Sequence, residues 1–444
     1  MKALFTHYKA TLRLGVPIAI GQIGVIMVGF ADTMMVGHFD TPSLAAASFV
    51  NSLFNLVTYL LLGYSYGLTP LVSSLCGRGD RAGAGGALKH ALTANALFTF
   101  ALLATMGVLY FFLDRMGQPA AILPLVRPYY AVVLVSMAFL ALFNVLRQFT
   151  DGTTDTATGM WVLLAGNAIN ILFNWLLIFG VGPFPRLGLL GAGLSTLLSR
   201  VFMAAAIAAV ILLRRRYADY RAGFPRLPFS WRSVRRVNAC SLPVSLQMGM
   251  ESGAFTFSGI MAGWLGALEL ATYQVVVTVS TLGFLLYYSF GAGVSIRAAA
   301  FAGNNDWAGV RDAAKAGTHI LIVMAAAVSM LFLTLGGGMM RCFTEDAAVI
   351  ALALTLVPPL MLYQLGDAMQ VCFANALRGT GRVMPMMWIA FISYILVNLP
   401  VGYLLAFPCR LGLTGLYLAF SCGLFLAAAL FRWQFGKACG GRAD

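Results

Sequence analysis

The chain has 444 residues, 60% of them hydrophobic and only 10% charged. A soluble fold of this length cannot hide that much apolar surface, so the composition excludes a soluble enzyme or binding module and points to an integral membrane protein. The net charge of +14 does not signal nucleic acid, because the cations are sorted by loop along the chain.

Twelve apolar stretches are each long enough to cross a bilayer as a helix of roughly 20 residues. They fall near 14–36, 43–75, 87–112, 124–146, 158–180, 187–213, 238–262, 268–296, 312–336, 347–376, 384–406 and 411–431. The first is too long for a signal peptide, has no small-residue cleavage site, and carries Asp32. Pro17 lies upstream of Asp32 in the same span, where a missing backbone donor creates either a bend point or a simple first-turn proline. Span five carries Asn167, Asn170 and Asn174 at i, i+3 and i+7, on one helix face. Amide oxygens and a carboxylate are hard ligands for sodium, and a carboxylate removed from water can carry a proton instead. The same amides equally suit hydrogen-bond contacts between helices. Span six holds Arg200, the one cation placed mid-span.

Residues 214–236 form an Arg-rich linker with Pro225 and Pro228. They separate a first lobe, 1–213, from a second, 237–444. Span seven carries Gln247 and Glu251, and span ten Tyr363 and Asp367. Each pair is spaced i, i+4, so each can hydrogen-bond or share a ligand. Asp32, Glu251 and Asp367 are the carboxylates inside apolar spans. A charge at mid-membrane costs about 2.5–3.5 kcal/mol on insertion scales. Folding does not require that cost, so a functional role is expected, with a buried pair to Arg200 as the structural alternative.

The two lobes repeat each other. Residues 13–90 slide by 226 positions onto 239–316 without a gap, matching Pro17 to Pro243, Gly67 to Gly293 and Lys89 to Lys315. A shift of 227 pairs Gly152-Thr153 with Gly379-Thr380. Six spans is an even number, so the repeats enter the membrane in the same direction, as in secondary transporters with a substrate path between repeats. The acids are not repeated: Asp32 faces Ser258 in the alignment, Glu251 faces Val25, and Asp367 faces Leu140.

Alternate loops collect Lys and Arg, 23 on one side against five on the other. The positive-inside rule then places both termini in the cytoplasm. The seven Cys show no disulfide or metal spacing, and only Cys342 and Cys409 fall near the outer face. Glycine-rich loops such as Gly77-Arg78-Gly79-Asp80 lack the lysine of a phosphate-binding loop. No cofactor is expected, and energy comes from an ion gradient or transport is downhill.

These features resemble the multidrug and toxic compound extrusion (MATE) transporters. The resemblance covers nearly the whole chain. It is carried most specifically by Gly29-Phe30-Ala31-Asp32-Thr33-Met34-Met35-Val36-Gly37, Asn170-Ile171-Leu172-Phe173-Asn174 and Leu377-Arg378-Gly379-Thr380-Gly381. Glu251 with Asp367 resembles the NorM-type branch. The resemblance implies an all-α membrane fold of twelve helices in two parallel six-helix repeats, forming a V-shaped, two-lobe bundle. It implies a monomer in a bacterial cytoplasmic (inner) membrane that exports organic cations and amphipathic drugs in exchange for sodium or protons. It assigns Asp32, Asn170, Asn174 and Thr196 to a first-lobe cation site, which makes a sodium position at Asp32, Asn170 and Asn174. Tyr363, Glu251 and Asp367 fall to a second-lobe acidic site, Gln247 with the three acids to a substrate cavity, and Pro17 to a bend. The first-half turn departs from the pattern, with Asp151-Gly152-Thr153-Thr154-Asp155 in place of an arginine-led sequence. A flippase for a lipid-linked saccharide precursor is the alternative from the same superfamily, disfavoured by twelve spans and acidic cavity residues. A membrane-embedded enzyme would need clustered His/Asp or metal spacing that the sequence lacks.

Overall fold

A computed structural model describes residues 2–119, 121–226, 228–341 and 343–440. Cys342, and Arg442, one of the 23 loop cations counted above, lie outside them. Among the described residues the secondary structure is helical, without strands. The helices are α1 (Lys2–Phe39), α2 (Thr41–Gly77), α3 (Arg81–Tyr110), α4 (Leu123–Gly152), α5 (Thr156–Phe179), α6 (Leu189–Leu213), α7 (Ala218–Arg226), α8 (Trp231–Leu265), α9 (Ala267–Gly303), α10 (Trp307–Arg341), α11 (Ala347–Thr355), α12 (Val357–Gly379), α13 (Met384–Ala406) and α14 (Gly412–Gly440).

Each expected span coincides with one helix or one broken helix. Ten described helices are long and apolar enough to cross a membrane, and α11 with α12 makes an eleventh, bent by 56°. Pro358 and Pro359 open α12, and their missing donors account for the break. The twelfth is α8, at 35 residues. Its apolar stretch is diluted by Gln247, Glu251 and several serines. The linker differs from expectation. Within 214–236 the chain forms helix α7, with Pro225 in its last turn, and α8 already begins at Trp231.

The repeat is visible in local geometry. The turn after α2 takes a left-handed residue at Gly79 (φ 78), and the matching turn after α9 takes it at Asn305 (φ 59). Thr154 (φ 65) and Gly381 (φ 77) are matched likewise at a shift of 227.

By packing, the chain divides into two units, residues 20–245 and residues 1–19 with 246–444. Both divisions fall inside a helix, two residues after Pro17 in α1 and two residues after Pro243 in α8. In the first unit α4 packs on α6, α5 on α6, α3 on α4, and α2 on α4. The second unit repeats this scheme with α12 on α14, α13 on α14, α10 on α12, and α9 on α12. Its N-terminal arm is pinned by Arg297, which donates to the His7 carbonyl (2.7 Å) and to Thr11 Oγ1 (3.1 Å). Large apolar side chains such as Phe100 and Leu213 stay exposed, the surface a bilayer solvates.

Candidate functional site

In the unit of residues 20–245, α1, α5 and α6 bring four of the expected residues together. Asn174 Nδ2 donates to the Asp32 carboxylate and, at 3.2 Å, to Asn170 Oδ1. Asn170 Nδ2 in turn reaches Thr196 Oγ1 at 3.5 Å. Asn170 and Asn174 are buried while Asp32 is half-buried, so the acid is the exposed end of a chain of amides. Asp32 and Thr196 open on a cavity of about 440 Å³, lined also by Asn51, Asn55, Tyr129 and Arg200. That size suits a drug-like molecule, since such sites run to roughly 300–1,000 Å³. Arg200 does not pair with Asp32. Its guanidinium donates to Ser136 Oγ at 2.7 Å and approaches Met137 Sδ at 3.7 Å. Asn167 stays out of the chain; its amide nitrogen is buried without a partner.

The other unit places Glu251, Tyr363 and Asp367 in one electrostatic cluster, together with Tyr394 of α13. Asp367 is 1% exposed and Tyr363 4%. One Asp367 oxygen, the Gln370 amide oxygen and the Tyr417 hydroxyl are buried without hydrogen-bond partners. Gln247 and Glu251 line a shared space of only about 10 Å³, with Gln370 and Arg378. That holds a water at most. Of the residues expected to line a substrate cavity, Asp32 therefore opens on drug-sized space, Gln247 and Glu251 on water-sized space, and Asp367 is closed in.

A third polar cluster was not expected from the sequence. Asp155 caps α5 through the Thr158 N–H (3.3 Å) and accepts from Thr158 Oγ1 and the Tyr217 hydroxyl, both at 2.8 Å. Arg216 stands 3.7 Å from the same carboxylate. Burial, and then the neighbouring Asp155 carboxylate, push the Tyr217 phenol above its ordinary range, so it remains an O–H donor. Asp151 and Arg147 form a buried pair at 3.8 Å. The signal was the atypical Asp151-to-Asp155 turn itself. Asp155 holds the linker and Asp151 pairs within α4, whereas Arg378, matched to Asp151, donates to Tyr288 Oη at 3.0 Å.

A polytopic helical membrane protein of two parallel six-helix repeats, with a carboxylate–amide site beside a cavity, is the class this structure defines. Residues 17–176 and 243–404 match the MatE family in sequence. The chain belongs to that family, as a NorM-type member. The probable multidrug resistance protein NorM of Geobacillus kaustophilus is 28% identical over 428 residues, covering 96% of this chain and 94% of the relative. Multidrug resistance protein NorM of Photobacterium profundum is 29% identical over 402 residues, covering 89% and 87%. In fold, the crystal structure of a MATE protein in the bent conformation superposes with a TM-score of 0.89 at 20% identity, covering 100% of both chains. A MOP superfamily transporter from Pyrococcus furiosus gives 0.89 at 20% identity, covering 99% and 97%.

Proposed function

We propose that this chain is a secondary active antiporter that exports organic cations and amphipathic drugs across a bacterial inner membrane in exchange for sodium ions or protons. The relatives' names, multidrug resistance proteins, support the substrate class. The observation that carries the reading is Asp32, a half-buried carboxylate at the wall of a 440 Å³ cavity, backed by buried Asn174 and Asn170. A membrane protein tolerates that charge where it binds something.

The residues fit a coupling cation. Asn174 Oδ1 is buried without a hydrogen-bond partner, and with the Asp32 carboxylate and Asn170 it gives a hard, oxygen-rich donor set. A bound sodium ion or proton would supply a positive charge that competes with a cationic drug for Asp32. Asn174 orients the carboxylate, Asn170 and Thr196 hold Asn174, and the polar cavity wall receives the drug. In the second unit Glu251, Asp367 and Tyr363 offer a further position for a cation, with an unpartnered Asp367 oxygen. Pro17, in the same helix as Asp32, gives α1 a place to bend.

Export from the cytoplasm means that inside-out vesicles should accumulate a cationic dye when a sodium or proton gradient is imposed, and the sorting of cations supports termini on the cytoplasmic side. Asp32→Asn should abolish gradient-driven accumulation while the protein still inserts. Dye movement at the parent rate in that variant would contradict the assignment.

A further inference from the structure

The basic ends of α3 and α10 are equivalent stretches of the two repeats, so that Gly85 corresponds to Arg311 and Lys89 to Lys315. In the first repeat, helix α7 lies across this face. A β-carbon on Gly85 would overlap the Tyr220 carbonyl oxygen, and one on Gly223 would overlap that of Ala82, so the two backbones touch. Arg81 pairs with Asp219 at 2.8 Å, and the Lys89 ammonium sits 6.0 Å from the Phe224 ring centre. Protein fills the face.

In the second repeat, no described helix covers the same face of α10 in this way. It forms instead one wall of a groove of about 680 Å³, with the last turns of α14 opposite. Arg311, Lys315 and His319 follow one another at four-residue spacing along α10, and Arg432 comes from α14. Phe373 and Phe435, both largely buried, make an apolar floor. Asp312 is the acid in the lining, against three full cations. Arg311 donates to the Cys439 carbonyl at 3.2 Å, and Arg432 lies 6.0 Å from the Phe373 ring centre. Among the described residues no carboxylate stands within ion-pair distance of Arg311, Lys315 or Arg432. The Tyr8 hydroxyl meets His319 Nδ1 at 2.6 Å.

We propose that this groove binds the phosphate headgroup of an anionic phospholipid. The general excess of cations at this end explains their sign. It does not explain why three line one groove with two phenyl rings where the other repeat has a glycine and a covering helix. Basic pockets between the ends of membrane helices are suited to phosphate headgroups, and the aromatic floor suits the glycerol and upper acyl region of a lipid. Neither Asp32 nor Asp367 lines the groove, so this assignment stands independently of the transport reading.

The test is lipid binding to the full-length protein in uncharged detergent, read by native mass spectrometry, with phosphatidylglycerol, phosphatidylcholine and inorganic phosphate as probes. Phosphatidylglycerol should bind at least about tenfold more tightly than phosphatidylcholine, in keeping with three cations near one headgroup, and less tightly as salt rises. The triple variant Arg311→Gln, Lys315→Gln, Arg432→Gln should lose the preference, and Arg235→Gln with Arg236→Gln should keep it. Arg311→Lys with Arg432→Lys should also keep it, which separates lost charge from a lost fold. Equal binding of the two lipids, or an undiminished preference in the triple variant, would overturn the proposal. So would displacement of phosphatidylglycerol by millimolar inorganic phosphate, which would mark a site for the free anion.

Discussion

Asn167, Asn170 and Asn174 share one face of α5, yet only the latter two join Asp32. A separation of seven residues returns to the same face but lies about 10 Å away along the axis, beyond the reach of one carboxylate. The sequence therefore showed which side of α5 is polar; the depth of Asp32 on α1 decides which amides are used. The bond from Asn174 to Asp32 is charge-assisted, and losing such a bond costs about 1.5–3 kcal/mol. Asn174→Ala should thus slow coupled dye transport by about tenfold or more, while Asn167→Ala should leave it near the parent rate. Initial rates at matched protein levels decide this; equal effects of the two changes would remove the amide chain from the account. Arg200 was legible only as a buried cation. Its bond to Ser136, rather than to an acid, depends on how α4 and α6 pack.

Helix ends and broken spans show where sequence reading stops at the next scale. The apolar windows located every span, but they ended where polar residues began, whereas α1 starts at Lys2 and α14 continues to Gly440. Arg and Pro mark residues 214–236 as a linker and give no sign of the helix α7 within it. Contact with α3 overrides that local signal, with Gly85 and Gly223 allowing the close approach. Asp155 then fixes the linker's start by accepting from the buried Tyr217 hydroxyl. Asp155→Ala removes a helix cap and leaves that hydroxyl without its acceptor, a combined loss of about 1–3 kcal/mol. Thermal unfolding in detergent should shift to lower temperature, and Asp155→Asn, which can still accept, should recover most of the loss. An unchanged transition in Asp155→Ala would show that the linker contributes nothing to the stability of its unit.

Across the whole molecule, one scaffold is used twice with different chemistry. The two units share their helix pairings and the left-handed residues of their turns, and residues 1–19 and 231–245 each belong by packing to the unit built mainly from the other repeat. The proline in each of these helices falls two residues before the division, so Pro17 and Pro243 hold a common structural position that the repeat alignment made visible. The acids break the symmetry: Asp32 opens on a cavity in one unit, and Asp367 is sealed among tyrosines in the other. Under the proposed antiport, that asymmetry makes Asp32 the acid at which drug and coupling cation would compete. A ligand shifts a transporter only through its different affinity for two states, and the coupling must be reciprocal. The most direct measurement is the affinity of the purified protein for a cationic drug, titrated separately across a sodium series and a pH series. Affinity should fall as sodium or proton concentration rises, and Asp32→Asn should abolish that dependence. An affinity that stays constant across both series would contradict antiport by competition at Asp32.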